Sequence, residues 1–135
     1  AAAERAEYVG RVGHPFPTCF VCGPLRAADG LGVFPGPVGD QLACVWRPTA
    51  EFAQPRFVWA ALDCPSGFAC MPPGSRTVLA TMTAELEAPV EPERDYVIIA
   101  WALGSEGRKH RAGSALHDAD GRRVAVAEAL WITLR

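Results

Sequence analysis

Residues 55–74 read PRFVWAALDCPSGFACMPPG, and the fold turns on them. Pro55, Phe57, Val58, Ala61 and Leu62 recur at helical spacing. A proline is favoured in a helix's first turn, because the N–H it lacks has no partner there. The apolar run continues through Phe68, Ala69 and Cys70 to Met71, where Pro72-Pro73-Gly74 stops it. This predicts a helix of about fifteen residues starting near Pro55. A kink or break is expected near Asp63 to Pro65, since Pro65 removes a helical hydrogen bond.

On the N-terminal side, residues 1–40 are punctuated by Gly13-His14-Pro15, Cys22-Gly23-Pro24, Ala28-Asp29-Gly30 and Pro35-Gly36-Pro37, the signature of a loop-rich lead-in. Gln41 to Arg47 alternates, with Leu42, Cys44 and Trp46 on one side, and reads as a first strand ended by Pro48. Beyond the helix, Thr77 to Ala88 puts Val78, Ala80, Met82, Ala84 and Leu86 on one face and Thr77, Thr81, Thr83, Glu85 and Glu87 on the other. Tyr96 to Leu103 is almost continuously apolar, as in a central strand covered on both faces, and Gly104-Ser105-Glu106-Gly107 turns the chain. Arg108 to His117 is a more polar strand, and Asp118-Ala119-Asp120-Gly121 is a hairpin signal. In the last strand Val124, Val126, Leu130, Ile132 and Leu134 share a face that Glu128 interrupts, which a bulge or an exposed sheet edge explains.

Strands joined by short turns are antiparallel neighbours. A sheet of about five such strands buries one face only by wrapping around the single long helix, an α+β architecture. Its open edge leads to an expected homodimer, with a homotetramer as a further assembly.

The 135 residues suit one domain spanning 1–135. A formal net charge of -2 gives no basic excess to neutralise nucleic-acid phosphates. Neither a signal peptide nor an apolar run long enough for a bilayer is seen, so no membrane partner and a cytoplasmic location are expected. Of five cysteines, Cys44, Cys64 and Cys70 sit in apolar segments, where a thiol behaves as a small hydrophobe. Cys19 and Cys22 form a lone C-x-x-C. With no second pair, and only His14 nearby, no metal and no cofactor are expected.

The order and spacing of several segments carry a resemblance to a known family. Cys19-Phe20-Val21-Cys22-Gly23-Pro24 followed by Gly30-Leu31 is similar to a CFxCGP…GL lead-in. With Ala60-Ala61-Leu62-Asp63, Gly67-Phe68-Ala69 and the hairpin Asp118 to Ala125, the chain resembles the hotdog superfamily, in the thioesterase branch that includes phenylacetyl-CoA type enzymes. The match runs from Cys19 to Thr133. It implies a hotdog fold, a homodimer, and an acyl-CoA or related carrier thioester as substrate.

In that family an acid on the central helix is the general base or nucleophile, and Asp63 is the matching position. The chemistry agrees, because hydrolysis at a thioester carbonyl needs an activated water or a carboxylate nucleophile. Asp63 could equally cap a second helical piece after a break at Pro65. Many relatives carry His-Gly-Gly before the helix, and here Gln54-Pro55-Arg56 stands there, Gln54 nine positions before the acid. Pro55 has no N–H to offer an oxyanion, which leaves the Gln54 amide to polarise the carbonyl.

Arg56, Phe57, Trp59, Ser66 and Phe68 are the expected substrate contacts, Ser66 equally able to satisfy backbone groups at the break. Arg108, Lys109 and Arg111 are the candidates for coenzyme A phosphates. The resemblance leaves a thioester hydrolase first, a non-catalytic acyl-CoA or small-ligand binding protein second, and a dehydratase or hydratase third. That third class pairs the helix acid with a histidine, whereas the residue five after Asp63 is Phe68.

Overall fold

The computed structural model describes residues 2–26 and 28–135. A short helix α1 (Ala2–Arg5) opens the chain, and one 3-10 turn (Pro24–Arg26) interrupts the lead-in. There follow β1 (Gly36–Val38), β2 (Gln41–Trp46), α2 (Pro55–Cys70), β3 (Thr77–Leu86), β4 (Tyr96–Glu106), β5 (Lys109–His117) and β6 (Arg123–Thr133). All six strands join one antiparallel sheet in the order β1-β2-β4-β5-β6-β3. The sheet curves around α2, the expected α+β arrangement, with six strands rather than about five because Gly36–Val38 of the lead-in pairs with β2.

The core lies between helix and sheet. Val58, Ala61 and Leu62 from α2 meet Cys44, Trp46, Tyr96, Ile98, Leu116 and Ala125 from the strands. Leu62, Ile98 and Leu116 are fully buried.

The expected break at Pro65 does not occur. α2 runs unbroken from Pro55 to Cys70, and its neighbours explain why. A proline deprives the carbonyl four residues back of its donor and crowds that turn. Here the next two carbonyls gain side-chain donors: Ser114 Oγ on β5 donates to the Leu62 carbonyl at 2.7 Å, and Ser66 Oγ donates to the Asp63 carbonyl at 2.6 Å. An unbroken helix has no second N-terminus, so Asp63 caps nothing.

Three strand readings are corrected in detail. In β3 the pairing with β6 slips between Leu79 and Thr81, so Ala80 is exposed and Thr77, not Val78, lies buried before Met82, Ala84 and Leu86 take the inner face. β4 runs on to Glu106 past an irregularity between Ala102 and Gly104, and the turn falls at Gly107, where φ is +59°. In β6 the buried face is Ala125, Ala127, Ala129 and Trp131, while Val126, Leu130 and Ile132 are half-buried on the outer face beside exposed Glu128. Glu128 sits on neither a bulge nor an edge; β6 is interior, and the carboxylate simply reaches water from the outer side. The hairpin at Asp118 forms as expected, Asp118 Oδ1 accepting from the N–H groups of Asp120 and Arg122.

Small residues let α2 approach β6 closely. A Cβ built on Gly67 would lie 2.8 Å from the Trp131 ring. Alanine gains about 1 kcal/mol over glycine in helix propensity. Forcing a methyl into this contact costs about 1–3 kcal/mol, so the collision decides the sign. Gly67→Ala is expected to lower the urea midpoint of unfolding, with a shift in Trp131 fluorescence; a raised midpoint would show that the ring yields.

Candidate functional site

Asp63 lies at the middle of α2 and faces a cavity of about 260 Å³. The walls come from three places: the lead-in (His14, Phe16, Cys19, Cys22), the second half of α2 (Cys64, Gly67, Phe68) with Met71, and the sheet (Thr77, Leu79, Trp131). The lining is mostly apolar. Among the described residues none donates a hydrogen bond to the Asp63 carboxylate. Burial raises its pKa to about 6, and negative charge on Cys19 adds to the rise. A carboxylate kept from solvent and from partners is more basic than an exposed one, which suits it to take a proton.

The backbone at Asp63 is held from the sheet. Trp131 Nε1 donates to Ser66 Oγ at 2.9 Å, and Ser66 Oγ donates in turn to the Asp63 carbonyl. Ser66 is fully buried, so its hydroxyl fixes the helix rather than meeting a ligand. Phe68 does line the cavity, packed edge-on against Tyr8 and His14. Asp63 and Phe68 are thus the two expected site residues that the chain itself brings together.

The others lie elsewhere. Gln54 is exposed at the start of α2, and its Nε2 donates to the Glu51 carbonyl at 3.1 Å. Phe57 packs with Phe20 and Phe52, Arg56 lies 4.9 Å over the Phe57 ring, and Trp59 is 38% exposed. Arg108 donates to the Thr133 carbonyl, and Lys109 and Arg111 border a separate shallow pocket with Ser105 and Glu106.

Sequence reasoning missed His14, Cys64 and Trp131 as cavity walls: His14 and Trp131 come to the cavity from far along the chain, and Cys64, next to Asp63, reads as a core thiol. His14 Nδ1 accepts the Phe16 N–H at 2.8 Å, and its Nε2 lies 3.3 Å from Cys22 Sγ. Both ring nitrogens are engaged, so His14 does not pair with Asp63 as the dehydratase class requires. The lead-in cysteines have a third companion: Cys19 Sγ is 3.8 Å from Cys64 Sγ on α2. Its hydrogen bond to Cys64, and N–H groups of Cys22 and Val21 directed at its sulfur, lower the Cys19 pKa to about 4. Cys64 is shifted well upward by the same hydrogen bond.

No protein-family model matches the sequence, and no curated protein matches it as a relative. Solved structures do match. A thioesterase superfamily protein superposes with a TM-score of 0.76 at 19% identity, covering 98% of this chain and 68% of that one. The PaaI protein of the E. coli phenylacetic acid degradation operon gives a TM-score of 0.68 at 12% identity, covering 78% and 81%. A Streptococcus mutans protein bound to acetyl CoA gives 0.65 at 9% identity, covering 70% and 82%. At such identities the likeness shows the fold, and the fold is the hotdog. Among the described residues no helix is long and apolar enough to cross a membrane.

Proposed function

We propose that this hotdog chain hydrolyses an acyl thioester carried by coenzyme A or a related carrier, with Asp63 as general base or nucleophile. The carrying observation is the Asp63 carboxylate itself, set without a hydrogen-bond donor on the central helix and facing a mostly apolar cavity. Apolar walls with one convergent polar group are what an acyl chain and its reacting carbonyl require. Support comes also from hotdog neighbours bound to acetyl CoA and to coenzyme A.

If Gln54 is the oxyanion donor, it serves the Asp63 of a second copy. Nine residues of helix separate Gln54 from Asp63 by about 13 Å, too far for both to reach one carbonyl from one chain. We infer a twofold pairing that sets the start of one helix beside the middle of the other; β3, at an end of the sheet, offers an edge where it can form. We therefore read the active form as a homodimer, with Gln54 of one protomer facing Asp63 of its partner. Arg108, Lys109 and Arg111, on the β4–β5 hairpin, are the groups offered to carrier phosphates.

Mixing variants tests this. Gln54→Ala alone is expected to lose activity on the order of a hundredfold, the usual effect of removing an oxyanion donor. When Gln54→Ala and Asp63→Asn chains are refolded together at equal amounts, about a quarter of wild-type activity should return, because about half the dimers are mixed and each holds one intact site. No recovery from two variants that both dimerise would sink the shared site. The binding-protein reading rests on Pro55, which offers no N–H, and on the Gln54 amide already donating to Glu51. A screen over short, long and aromatic acyl-CoAs that finds tight binding and no turnover would favour it.

A further inference from the structure

We propose that Cys19, Cys22 and Cys64 together bind one zinc ion, through three sulfurs, in the wall of the cavity beside Asp63. The expectation of no metal counted ligands along the sequence and found no partner for the C-x-x-C pair. The fold supplies one from the central helix.

Geometry carries the proposal. The three sulfurs all lie within 4.8 Å of one another. Cys19 Sγ and Cys64 Sγ are 3.8 Å apart, and a tetrahedron with Zn–S bonds of about 2.3 Å has an edge of about 3.8 Å. All five cysteines are free thiols.

The turn that presents the pair is tightly closed. Gly23 N–H donates to the Cys19 carbonyl at 2.8 Å, closing a tight loop. A Cβ on Gly23 would lie 2.5 Å from both Cys19 N and the Pro17 carbonyl oxygen, so the loop closes only around glycine. Cys22 is 3% exposed and Cys64 is on a helix, so neither sulfur is placed by a mobile loop.

His14 completes the surroundings from outside the coordination sphere. Its Nδ1 accepts the Phe16 N–H, so in the neutral ring Nε2 carries the proton and directs it at Cys22 sulfur. A donor aimed at a bound sulfur is a common support for a metal site. The fourth position is then left to water or to a donor entering the cavity. On binding, each thiol still protonated releases its proton, and the metal undergoes no redox change. The site ties the lead-in to α2 and does not depend on the cavity having a hydrolytic role.

The full chain purified without chelator is expected to hold about one zinc per chain by elemental analysis. Cobalt(II) exchanged into it should give a thiolate charge-transfer absorption. Cys19→Ser, Cys22→Ser and Cys64→Ser should each weaken that absorption and lower the zinc content, while Cys70→Ser, outside the cluster, should change neither. His14→Ala should keep zinc with about 10–100-fold weaker binding. Because a cysteine variant can fail to fold, the wild-type chain also decides: alkylation should label three fewer thiols with zinc than after chelation. Folded wild-type protein that takes up neither zinc nor cobalt, with all three thiols equally labelled in both states, overturns the proposal. Complete loss of zinc in folded His14→Ala overturns the outer position given to His14.

Discussion

Asp63→Asn is expected to lower kcat for acyl-CoA hydrolysis by about 10²- to 10⁴-fold, the range for removing a positioned general base. The substitution keeps the shape and removes the charge. No described residue donates a hydrogen bond to the carboxylate, so the change breaks no such bond. A half-buried carboxylate facing apolar walls is costly to keep ionised, so the neutral amide should hold the thermal midpoint or raise it. A large fall in kcat with an undiminished midpoint therefore separates chemistry from folding. Steady-state kinetics on the best acyl-CoA of the screen, beside a melting curve, measure both. Full activity in the asparagine variant would end the hydrolase reading as it stands.

Leu62→Ala is expected to destabilise the chain by about 2–5 kcal/mol, the range for truncating a fully buried leucine. Leu62 has no exposed surface and lies in the core cluster where α2 meets the strands. Collapse into the hole is resisted, since the Leu62 carbonyl is fixed by Ser114 and the Asp63 carbonyl by Ser66. The cost should fall toward the upper half of that range, with a drop in Tm of about 10 °C or more. Leu62→Met, which keeps the volume, should cost less than about 1.5 kcal/mol. Urea unfolding of both variants checks the pair; an alanine variant within error of wild type would mean that this part of the core repacks freely.

Much of the fold is legible because periodicity reports burial. The spacing of Phe57, Val58, Ala61 and Leu62 marks the helix; the run from Tyr96 marks an interior strand, but not one covered on both faces, since only Tyr96, Ile98 and Ala100 are buried, Val97, Ile99 and Trp101 are half-buried and Ala102 and Leu103 are exposed. Phase is harder to read. The slip at Ala80 changes which residues of β3 face inward, and a bulge leaves no mark in a string of small and apolar residues. In β6 the larger side chains suggest one face, yet Ala125, Ala127, Ala129 and Trp131 take the core, Trp131 fitting there because the helix residue above its ring is Gly67. Pro65 misleads for a similar reason. Its local effect is disruptive, and the compensation comes from Ser114, 49 residues on.

The site divides the same way. Asp63 is legible as an isolated acid in an apolar helix. Gln54 is legible as a residue of the helix start, though nothing in its spacing says that its amide turns back to the Glu51 carbonyl. The sulfurs of Cys19 and Cys22 read as an unfinished pair, since the third thiol is a core-like residue of α2 with no local signal.

Pro65 also bears on how the chain reaches its native state. An isolated helix of this length is marginal in water, and a proline in its interior costs about 3 kcal/mol more, so α2 does not form by itself ahead of the rest. Ser114, which donates to the Leu62 carbonyl in the turn that Pro65 crowds, belongs to β5, which pairs with β4 and β6. We expect the helix to be consolidated together with the central strands, through contacts far apart in sequence, which favours slower folding. Asp63, one residue from that hydrogen bond, is then expected to acquire its surroundings together with the sheet and not ahead of it.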